Sequence, residues 1–324
     1  MAERTAISWT DHTFNPWIGC QHYGPGCVNC YAEELATRYR KAAWGPRGTR
    51  IKTSEKNWQQ PWKWNNAAAR AGVRQRVFCA SWADVFEDWP HDVHDHKGAR
   101  LWTPRHGYVW DEPIAERPEG DFSHCRPLRL CDLRERLWHT IDFTPWLDWQ
   151  VLTKRIENVP RMWHAWQPTG SSCRANVWLG CSIANQEDAD RNIPRLLECR
   201  HLARFLFVSY EPAIGPVDFS PWLPSSDGFV PSPEGPVHVE DGGRGLDWVI
   251  VGGESGQHRR PCEVAWIASV VEQCRNAWVG PWPGGVPCFV KQDSALRPGQ
   301  QGRIPDELWA VKEFPAACGA LVSE

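Results

Sequence analysis

The chain has 324 residues with a formal net charge of −3, so its composition does not indicate a strongly basic nucleic-acid-binding protein. No run of 18 apolar residues occurs and the first residues lack an apolar leader segment, so we expect neither a membrane-spanning helix nor an exported protein. We therefore expect the thirteen cysteines to be reduced thiols in the cytoplasm.

Short apolar runs that follow one another along the chain predict buried strands. A first strand is predicted near "TFNPWIG", and the others at residues 76–81, 148–154, 176–182, 204–211, 247–254 and 286–292. Helical spacing of apolar residues follows at 185–201 and 263–278. Runs without polar alternation suit parallel strands that are covered on both faces. The predicted fold is α/β, a partial or near-complete (β/α) TIM-type barrel of six to seven parallel strands.

Two segments interrupt this alternation. Residues 91–131 are rich in Pro, Gly, His and charged residues, and residues 221–246 are rich in Pro, Gly and Ser. Both are predicted to be inserted loops, as lids or substrate loops, within a single domain that spans residues 1–324. The first insertion contains "HDVHDH", which offers histidine ligands to a metal, although a solvated loop is the interpretation that we favour.

Polar side chains follow successive predicted strands at the point where each strand ends. They are Ser81 and Asp84, Thr153 and Lys154, Ser182 and Asn185, Ser209 and Glu211, Gly253 and Glu254, and Lys291 and Gln292. In a parallel barrel the carboxyl ends of the strands share one face, where active sites are built. Their repetition favours a shared site, while the alternative for each residue is a cap or a buried ion pair.

Three cysteines follow the first predicted strand in a C-x6-C-x2-C pattern: Cys20, Cys27 and Cys30. A structural zinc site needs a fourth ligand, and His22 would give Cys3His. An iron–sulfur cluster held by three thiolates leaves one iron open for another ligand. Zinc and unmetallated thiols stay open as alternatives, and the position of the loop at the carboxyl end of a strand favours the cluster.

The sequence around these cysteines resembles a known family. "NPWIGC…CVNCYAE" is similar to the cysteine loop of spore photoproduct lyase-like radical S-adenosylmethionine enzymes. More narrowly, "ISWTDHTFNPWIGCQHYGPGCVNCYAE", "SWADVFED", "TPWLDWQVLTKRIENVPRMW", "NVWLGCSIANQEDADRNIPRLLE", "RFLFVSYEPAIGPVD" and "DWVIVGGESG" resemble, in order, the blocks of the three-Cys-motif phage protein family. The resemblance covers roughly residues 7–90 and 132–292. The six-residue spacing between the first two cysteines departs from the three residues that are commonest in the superfamily.

The resemblance implies a [4Fe–4S] cluster on the three cysteines and S-adenosylmethionine on its open iron. One electron from the reduced cluster would then give a 5′-deoxyadenosyl radical. Ser81 or Asp84 would meet the methionyl amine, Lys154 its carboxylate, and Ser182 and Asn185 the ribose or carboxylate. Gly252, Gly253 and Glu254 would contact adenine or substrate. Glu211 would bind substrate or cofactor. Cys181 is a candidate hydrogen donor, although a small buried hydrophobic residue is the interpretation that we favour for it.

The resemblance also sets the expected function, partners and origin. We expect modification or isomerisation of a nucleic-acid base, as in thymine hypermodification of phage DNA, or of a nucleotide, by a protein encoded in a phage or prophage. A flavodoxin-like or ferredoxin-like protein would donate the electron. Apart from the resemblance, Lys154, Arg155, Arg259, Arg260 and Lys291 suggest a basic rim for a phosphate-bearing substrate, and a carboxylate clamp and a solvated loop are equal alternatives. The alternatives are a radical enzyme acting on a small molecule or peptide, and a non-enzymatic zinc-binding phage protein.

Overall fold

The computed structural model describes residues 5–104, 125–163, 173–224, 229–230, 237–238, 245–277 and 285–315. The strands are β1 His12–Thr13, β2 Trp17–Ile18, β3 Ile51–Lys52, β4 Gln75–Cys79, β5 Trp102–Pro104, β6 Cys125–Pro127, β7 Leu147–Thr153, β8 Arg174–Ile183, β9 Ala203–Tyr210, β10 Phe229–Val230, β11 Val237–His238, β12 Trp248–Gly252 and β13 Cys288–Gln292. The helices are α1 Tyr31–Arg38, α2 Glu55–Trp58, α3 Gln60–Ala71, α4 Leu130–Asp142, α5 Val159–Met162, α6 Gln186–Glu198, α7 Val264–Asn276 and α8 Asp306–Trp309.

One seven-stranded parallel sheet organises the chain, in the order β1-β4-β7-β8-β9-β12-β13. Neighbours in the sheet are therefore consecutive in sequence among the sheet's strands, which is the topology of a partial TIM-type barrel. The predicted α/β fold class is confirmed. All five residues of β12, "WVIVG", are buried, as expected for a parallel strand with both faces covered.

The first predicted strand differs from the observed structure. Residues 13–19 do not form one strand: β1 ends at Thr13 in the parallel sheet, and β2 pairs antiparallel with β3. Pro16 lies between them, and because proline has no N–H it cannot donate to a ladder. The chain therefore leaves the sheet just before the cysteine loop.

By the density of its contacts the chain divides into two compact units. The first unit contains residues Met1–Leu179 and His201–Arg204. Its core is rich in aromatic side chains: Phe14 meets Trp58 and Trp149 edge to face, with ring centroids 5.2 and 5.7 Å apart. Such pairs are worth about 1 kcal/mol each beyond the area that they bury.

The second unit contains residues Gly180–Arg200 and Phe205–Glu324. Its core includes Trp248, which is fully buried against Phe207 and Phe289, at centroid distances of 5.5 and 6.4 Å. The indole N–H of Trp248 donates to the carbonyl of Glu313 at 2.9 Å, so this buried polar group is satisfied.

The two predicted insertions are only partly described. The described ends of the first insertion pair as the antiparallel strands β5 and β6, while residues 105–124 lie outside the described residues. Most of residues 225–244 lie outside them too. Among the helices that the structure describes, none is sufficiently long and apolar to span a bilayer.

Candidate functional site

The cysteine loop, residues 19–30, connects β2 to α1 in the first unit. Cys20 follows β2, Cys27 ends a short 3-10 turn (Pro25–Cys27), and Cys30 is the residue that precedes the first turn of α1. All three are free thiols, and Cys27 is buried. The chain therefore presents three thiols between a strand of the fold and the amino end of a helix.

Backbone contacts fix the start of this loop. Gly19 donates to the Trp82 carbonyl at 3.0 Å, and Gly45 donates to the Cys20 carbonyl at 2.9 Å. Gly19 has a φ of +115°, and a Cβ there would overlap the Thr49 carbonyl. Only glycine fits this position without strain, so the position of the first thiol is set by the backbone.

Arg155 contacts the first thiol of the loop, that of Cys20. Its Nη1 donates to Cys20 Sγ at 3.6 Å and its Nη2 donates to the Gln21 carbonyl at 2.9 Å. The guanidinium carbon lies 5.2 Å from the ring centroid of Tyr23, so the loop covers the cation. Arg155 itself is buried. A charged donor thus contacts both the sulfur and the backbone of the loop.

Asp84 holds Arg155 in place. Its Oδ2 accepts from Arg155 Nη1 at 2.9 Å and from the Lys154 amide at 3.0 Å. Its Oδ1 accepts from the Thr153 hydroxyl at 2.7 Å and from the Phe86 amide at 3.0 Å. Both oxygens are therefore used within the protein, and Asp84 joins the end of β4 to the end of β7. Its predicted contact with a methionyl amine stays a prediction.

A second buried ion pair, Arg50–Glu87, lies close to the Arg155–Asp84 pair. Arg50 donates to both carboxylate oxygens of Glu87, at 2.6 and 2.7 Å, and both side chains are fully buried. Glu87 is also 3.8 Å from Arg155 Nη2. Burial raises the pKa of Glu87, against the lowering effect of Arg50 and Arg155. When Asp84 and Glu87 are both ionised, their negative charges balance the positive charges of Arg50 and Arg155. No net positive charge then remains beside Cys20 to stabilise a thiolate.

Burial and this balance of charges together determine the protonation state of the Cys20 thiol. Burial raises the pKa of the Cys20 thiol, Glu87 and Asp84 add to the effect, and Arg155 opposes it. Without a further cation beside it, Cys20 is therefore a neutral thiol. A metal ion would reverse this preference, since a coordinating thiol is deprotonated outright.

Cys30 has a different environment. Burial raises the pKa of the Cys30 thiol, while the Glu33 and Ala32 amides at the start of α1 lower it. Cys27 raises this pKa and Lys154 lowers it, so both lie within electrostatic reach of Cys30. Sequence positions from the cysteine loop and from the end of β7 thus meet in the first unit.

Ser81 also contacts this region. Asn15, which is buried, donates through Nδ2 to Ser81 Oγ at 3.1 Å and accepts from the Trp82 amide at 2.8 Å. The hydroxyl of Tyr31, the residue after Cys30, donates to the Ser81 carbonyl at 3.0 Å. The structure therefore brings Ser81, Asp84 and Lys154 together with the cysteine loop.

The first unit does not arrange these side chains around a single ion. Among the described residues, no group of three or more His, Cys, Asp or Glu side chains has the geometry to hold a metal ion. His22, the candidate fourth ligand, lies 2.6 Å from Glu33 through its Nε2. In the "HDVHDH" segment, Asp95 accepts from the amides of Lys97 and Ala99, as in a turn.

The second unit contains another group of predicted residues. Glu211 follows β9, and its Oε1 lies 2.9 Å from Lys291 Nζ, while its Oε2 accepts from Ser209 Oγ at 3.2 Å. The Lys291 ammonium is close to Oε1 but not aligned as a hydrogen-bond donor to it. Ser182 donates to the Glu211 carbonyl at 3.2 Å, and a Cβ on Gly252 would lie 2.9 Å from Oε1.

Other predicted residues of this unit have structural partners. Asn185 caps α6, accepting from the Asp188 amide at 3.0 Å, and Cys181 is fully buried in β8. Glu254 is buried and accepts from Arg260 at both oxygens, at 3.0 and 2.7 Å. Gly253 packs so closely on Ser294 that a side chain would not fit.

The predicted basic rim needs correction. Arg155 is buried against Asp84, Arg260 is held by Glu254, and Lys291 is paired with Glu211. Charges that are neutralised by adjacent carboxylates do not form a rim for phosphate, because the ion pairs would have to open first. Arg259 is exposed and donates to the Gly256 carbonyl at 3.1 Å.

Comparison with known protein families decides where the chain belongs. One family model, described as a protein of unknown function (DUF5131), matches residues 4–108 and 128–301, which is most of the chain. The chain belongs to the DUF5131 family. No curated protein and no solved structure matches it.

The matched region of this DUF5131 protein includes the cysteine loop and every residue of the buried ion-pair network. Sequence reasoning did not find Arg50, Glu87 or Asn15, and it placed Arg155 on a surface rim. The available signal was weak: Asp84 and Glu87 lie three apart in "SWADVFED", but their cationic partners are 71 and 37 residues away.

Proposed function

We propose that this chain is a radical S-adenosylmethionine enzyme, in which Cys20, Cys27 and Cys30 hold a [4Fe–4S] cluster. The observation that carries the proposal is the position of three free thiols on one loop, after the first strand of a sequentially ordered parallel sheet and before a helix. The family resemblance of the same loop supports it.

The chemistry of the donor set fits a cluster better than a single ion. Thiolates are the ligands that iron–sulfur clusters take, and a four-iron body is larger than one ion, so its thiols do not need to converge on one point. The charge balance around Cys20 also fits, because this neutral thiol would release its proton to solvent only when a positively charged group coordinates the sulfur. His22 faces Glu33, which leaves three thiols as the donor set.

When bound, the cluster and S-adenosylmethionine would supply one-electron reductive cleavage that yields a 5′-deoxyadenosyl radical. The chain's own residues hold and shield the site. Arg155 donates to Cys20 Sγ, and Asp84 accepts from the same guanidinium nitrogen and holds it in place. Tyr23 covers Arg155 and donates to Glu157 at 2.9 Å, which closes the loop over the end of β7.

The proposed substrate is a base of a nucleic acid or a nucleotide, as the resemblance implies. A base in a duplex would have to leave the stack to reach a site at the end of a strand, which favours single-stranded or unpaired nucleotides. A flavodoxin-like or ferredoxin-like donor would supply the electron.

Anaerobic reconstitution tests the proposal. We expect about four irons and four sulfides per chain, and formation of 5′-deoxyadenosine on addition of S-adenosylmethionine and dithionite. Cys27→Ala should lose both, while Cys131→Ala, which removes an exposed thiol of α4, should keep both. A colourless protein with one zinc per chain would contradict the proposal and favour a zinc-binding protein.

A further inference from the structure

A group of exposed positive charges lies beside the cysteine loop in the first unit, outside the residues of the predicted rim. Residues 35–54 contain six Lys and Arg residues and no Asp or Glu, in a chain whose net charge is −3. Two of these cations, Arg50 and Lys52, are paired with Glu87 and Glu55. The other four lie in residues 38–47, "RYRKAAWGPR", which we name the basic loop.

Three of these four cations are available to a ligand. Arg40, Lys41 and Arg47 are exposed and form no ion pair with any residue that the structure describes. Arg38 pairs with Glu34 across one turn of α1, and both side chains are more than half exposed. Exposed pairs of this kind are weak, so a phosphate can compete for Arg38.

An aromatic side chain lies among these cations. Tyr39 is between Arg38 and Arg40 in sequence and is 57% exposed, the largest exposure of an aromatic residue among the described residues. Arg40 has a φ of +50°, so the chain turns sharply after Tyr39. An exposed tyrosine flanked by cations is the combination that proteins use to stack bases while they bind the phosphates of a single strand.

The basic loop is attached to the cysteine loop. Gly45 donates to the Cys20 carbonyl at 2.9 Å, and the Lys41 amide donates to the Ala36 carbonyl of α1 at 2.8 Å. Ala43 and Thr49 close the loop with bonds of 2.8 and 3.0 Å. The loop therefore has defined structure, and a polymer bound along it would run directly beside Cys20.

We infer that the basic loop binds a single-stranded nucleic acid, with Arg40, Lys41 and Arg47 on phosphates and Tyr39 stacked on a base. This inference rests on the proposed function in one respect, the connection of the bound nucleic acid with the chemistry at the cysteine loop. It narrows the proposed substrate class to single-stranded or unpaired nucleic acid. The binding step requires neither the cluster nor S-adenosylmethionine.

Fluorescence anisotropy with a labelled oligodeoxythymidine of about 20 nucleotides, longer than one typical binding site, tests the inference on the full chain purified in air. The triple variant R40A/K41A/R47A should bind roughly 10- to 100-fold more weakly and lower the slope of log K against log salt by about 2. The matched control is K56A/K63A/R70A, which removes three exposed cations from the α2–α3 segment. It should change the affinity by less than about threefold, because it removes no proposed phosphate contact.

Tyr39 distinguishes stacking from charge alone. Tyr39→Ala should weaken binding roughly fivefold or more, and Tyr39→Phe should stay within about twofold of the parent. A polyglutamate of equal charge that binds as tightly as the oligonucleotide would indicate an acidic protein partner and overturn the inference. Equal losses in both triple variants, or no binding at all, would overturn it too. If one of these results is obtained while the reconstituted protein still forms 5′-deoxyadenosine, only this inference fails. If the protein takes up no iron but still binds the oligonucleotide, only the proposed function fails.

Discussion

Arg155 donates from one nitrogen, Nη1, both to Cys20 Sγ at 3.6 Å and to Asp84 Oδ2 at 2.9 Å. The cysteine loop is thereby connected to the ends of β4 and β7 through a single buried cation. Both side chains of the Arg155–Asp84 pair are less than 10% exposed. Removal of either partner leaves the other as a buried charge without compensation.

The first prediction follows from this pair. Arg155→Met should lower the free energy of unfolding by about 3 to 5 kcal/mol, because Asp84 loses its cation. Asp84→Asn should also destabilise the protein, and the double variant should cost less than the sum of the two. Urea unfolding at neutral pH of the four proteins measures the coupling. If the losses in the free energy of unfolding of the two single variants simply add in the double variant, the close pairing of Arg155 and Asp84 is contradicted.

If the three cysteines hold the proposed cluster, Arg155 should also affect the reduction potential of that cluster, which a purely structural role would not do. In the reconstituted protein, a hydrogen bond to a ligand sulfur favours the reduced cluster, so Arg155→Lys should make the midpoint potential more negative. Arg161→Lys is the control, because Arg161 pairs with Asp88 on the surface, with both side chains about 60% exposed. An unchanged potential in Arg155→Lys would show that the contact at 3.6 Å has no electronic effect.

The second prediction concerns the glycine before the first thiol. Gly19→Ala combines an unfavourable φ of +115° with a collision against the Thr49 carbonyl. Gly98→Ala is a matched control outside the cysteine loop, because its φ is +85° and no atom lies within 4 Å of a Cβ built there. Each should lose about 1 to 3 kcal/mol from backbone strain. Gly19→Ala should lose more and should also take up less iron on reconstitution.

Much of the fold was predictable, because it depends on local sequence. Runs such as "WVIVG" are apolar at every position, and only a strand covered on both faces buries them fully. Asn185 is a good helix-capping residue before "QEDADRNIPRLLE", and it caps α6. The cysteine loop was visible for the same reason, since its three thiols lie within eleven residues.

The environment of the site was not predictable in the same way. Arg155 and Cys20 are 135 residues apart, and no local pattern indicates that they meet. A basic residue after a strand is equally compatible with an exposed rim and a buried pair, and the choice depends on whether a carboxylate such as Asp84 lies across the sheet. For that reason the sequence placed positive charge at Arg155 and Arg260, whereas the structure exposes it on the basic loop.

The third prediction is a dependence of stability on pH. Burial raises the pKa of Glu55, but Arg136 and Lys52 outweigh this effect and lower the pKa to about 2. Because the folded-state pKa is below the unfolded value of about 4.3, the stabilisation is complete above that value and is lost as the pH falls towards 2. Glu55 is more than one third exposed, so solvent screening reduces the contribution to about 1 kcal/mol.

Glu55→Gln should therefore flatten the acid limb of the stability curve between about pH 4 and 2. Chemical unfolding at a series of pH values measures this. Glu34→Gln is the control, because Glu34 pairs with Arg38 on the surface, where more than half of each side chain is exposed. It should leave the acid limb unchanged within about 0.3 kcal/mol. An unaltered limb in Glu55→Gln would show that the Arg136 contact does not hold Glu55 ionised.

The fourth prediction separates two roles of Asn185. As the cap of α6, Asn185→Ala should cost about 1 kcal/mol, and Asn185→Ser should restore most of it. If Asn185 also contacts the ribose or carboxylate of S-adenosylmethionine, Asn185→Ser should weaken the binding of that cofactor while it restores stability. Unfolding and equilibrium binding on the same three proteins decide this. Recovery of both quantities by serine would leave capping as its role.

The last prediction concerns Glu211 and Lys291 in the second unit, whose Oε1 and Nζ atoms are 2.9 Å apart. Glu211 Oε1 receives no aligned hydrogen bond and is fully buried, so a substrate hydroxyl or amide would reach it only if its contact with Lys291 opened. If Glu211 acts on substrate, Glu211→Gln should keep 5′-deoxyadenosine formation without substrate but lose modified product. Lys291→Met should destabilise the protein by about 1 to 3 kcal/mol, since it leaves a carboxylate that is 12% exposed without its cation. Glu313→Gln is a suitable control, because Glu313 accepts from the Cys288 amide at the opposite end of β13. Equal loss of product in Glu211→Gln and Glu313→Gln would assign Glu211 to the fold and not to the reaction.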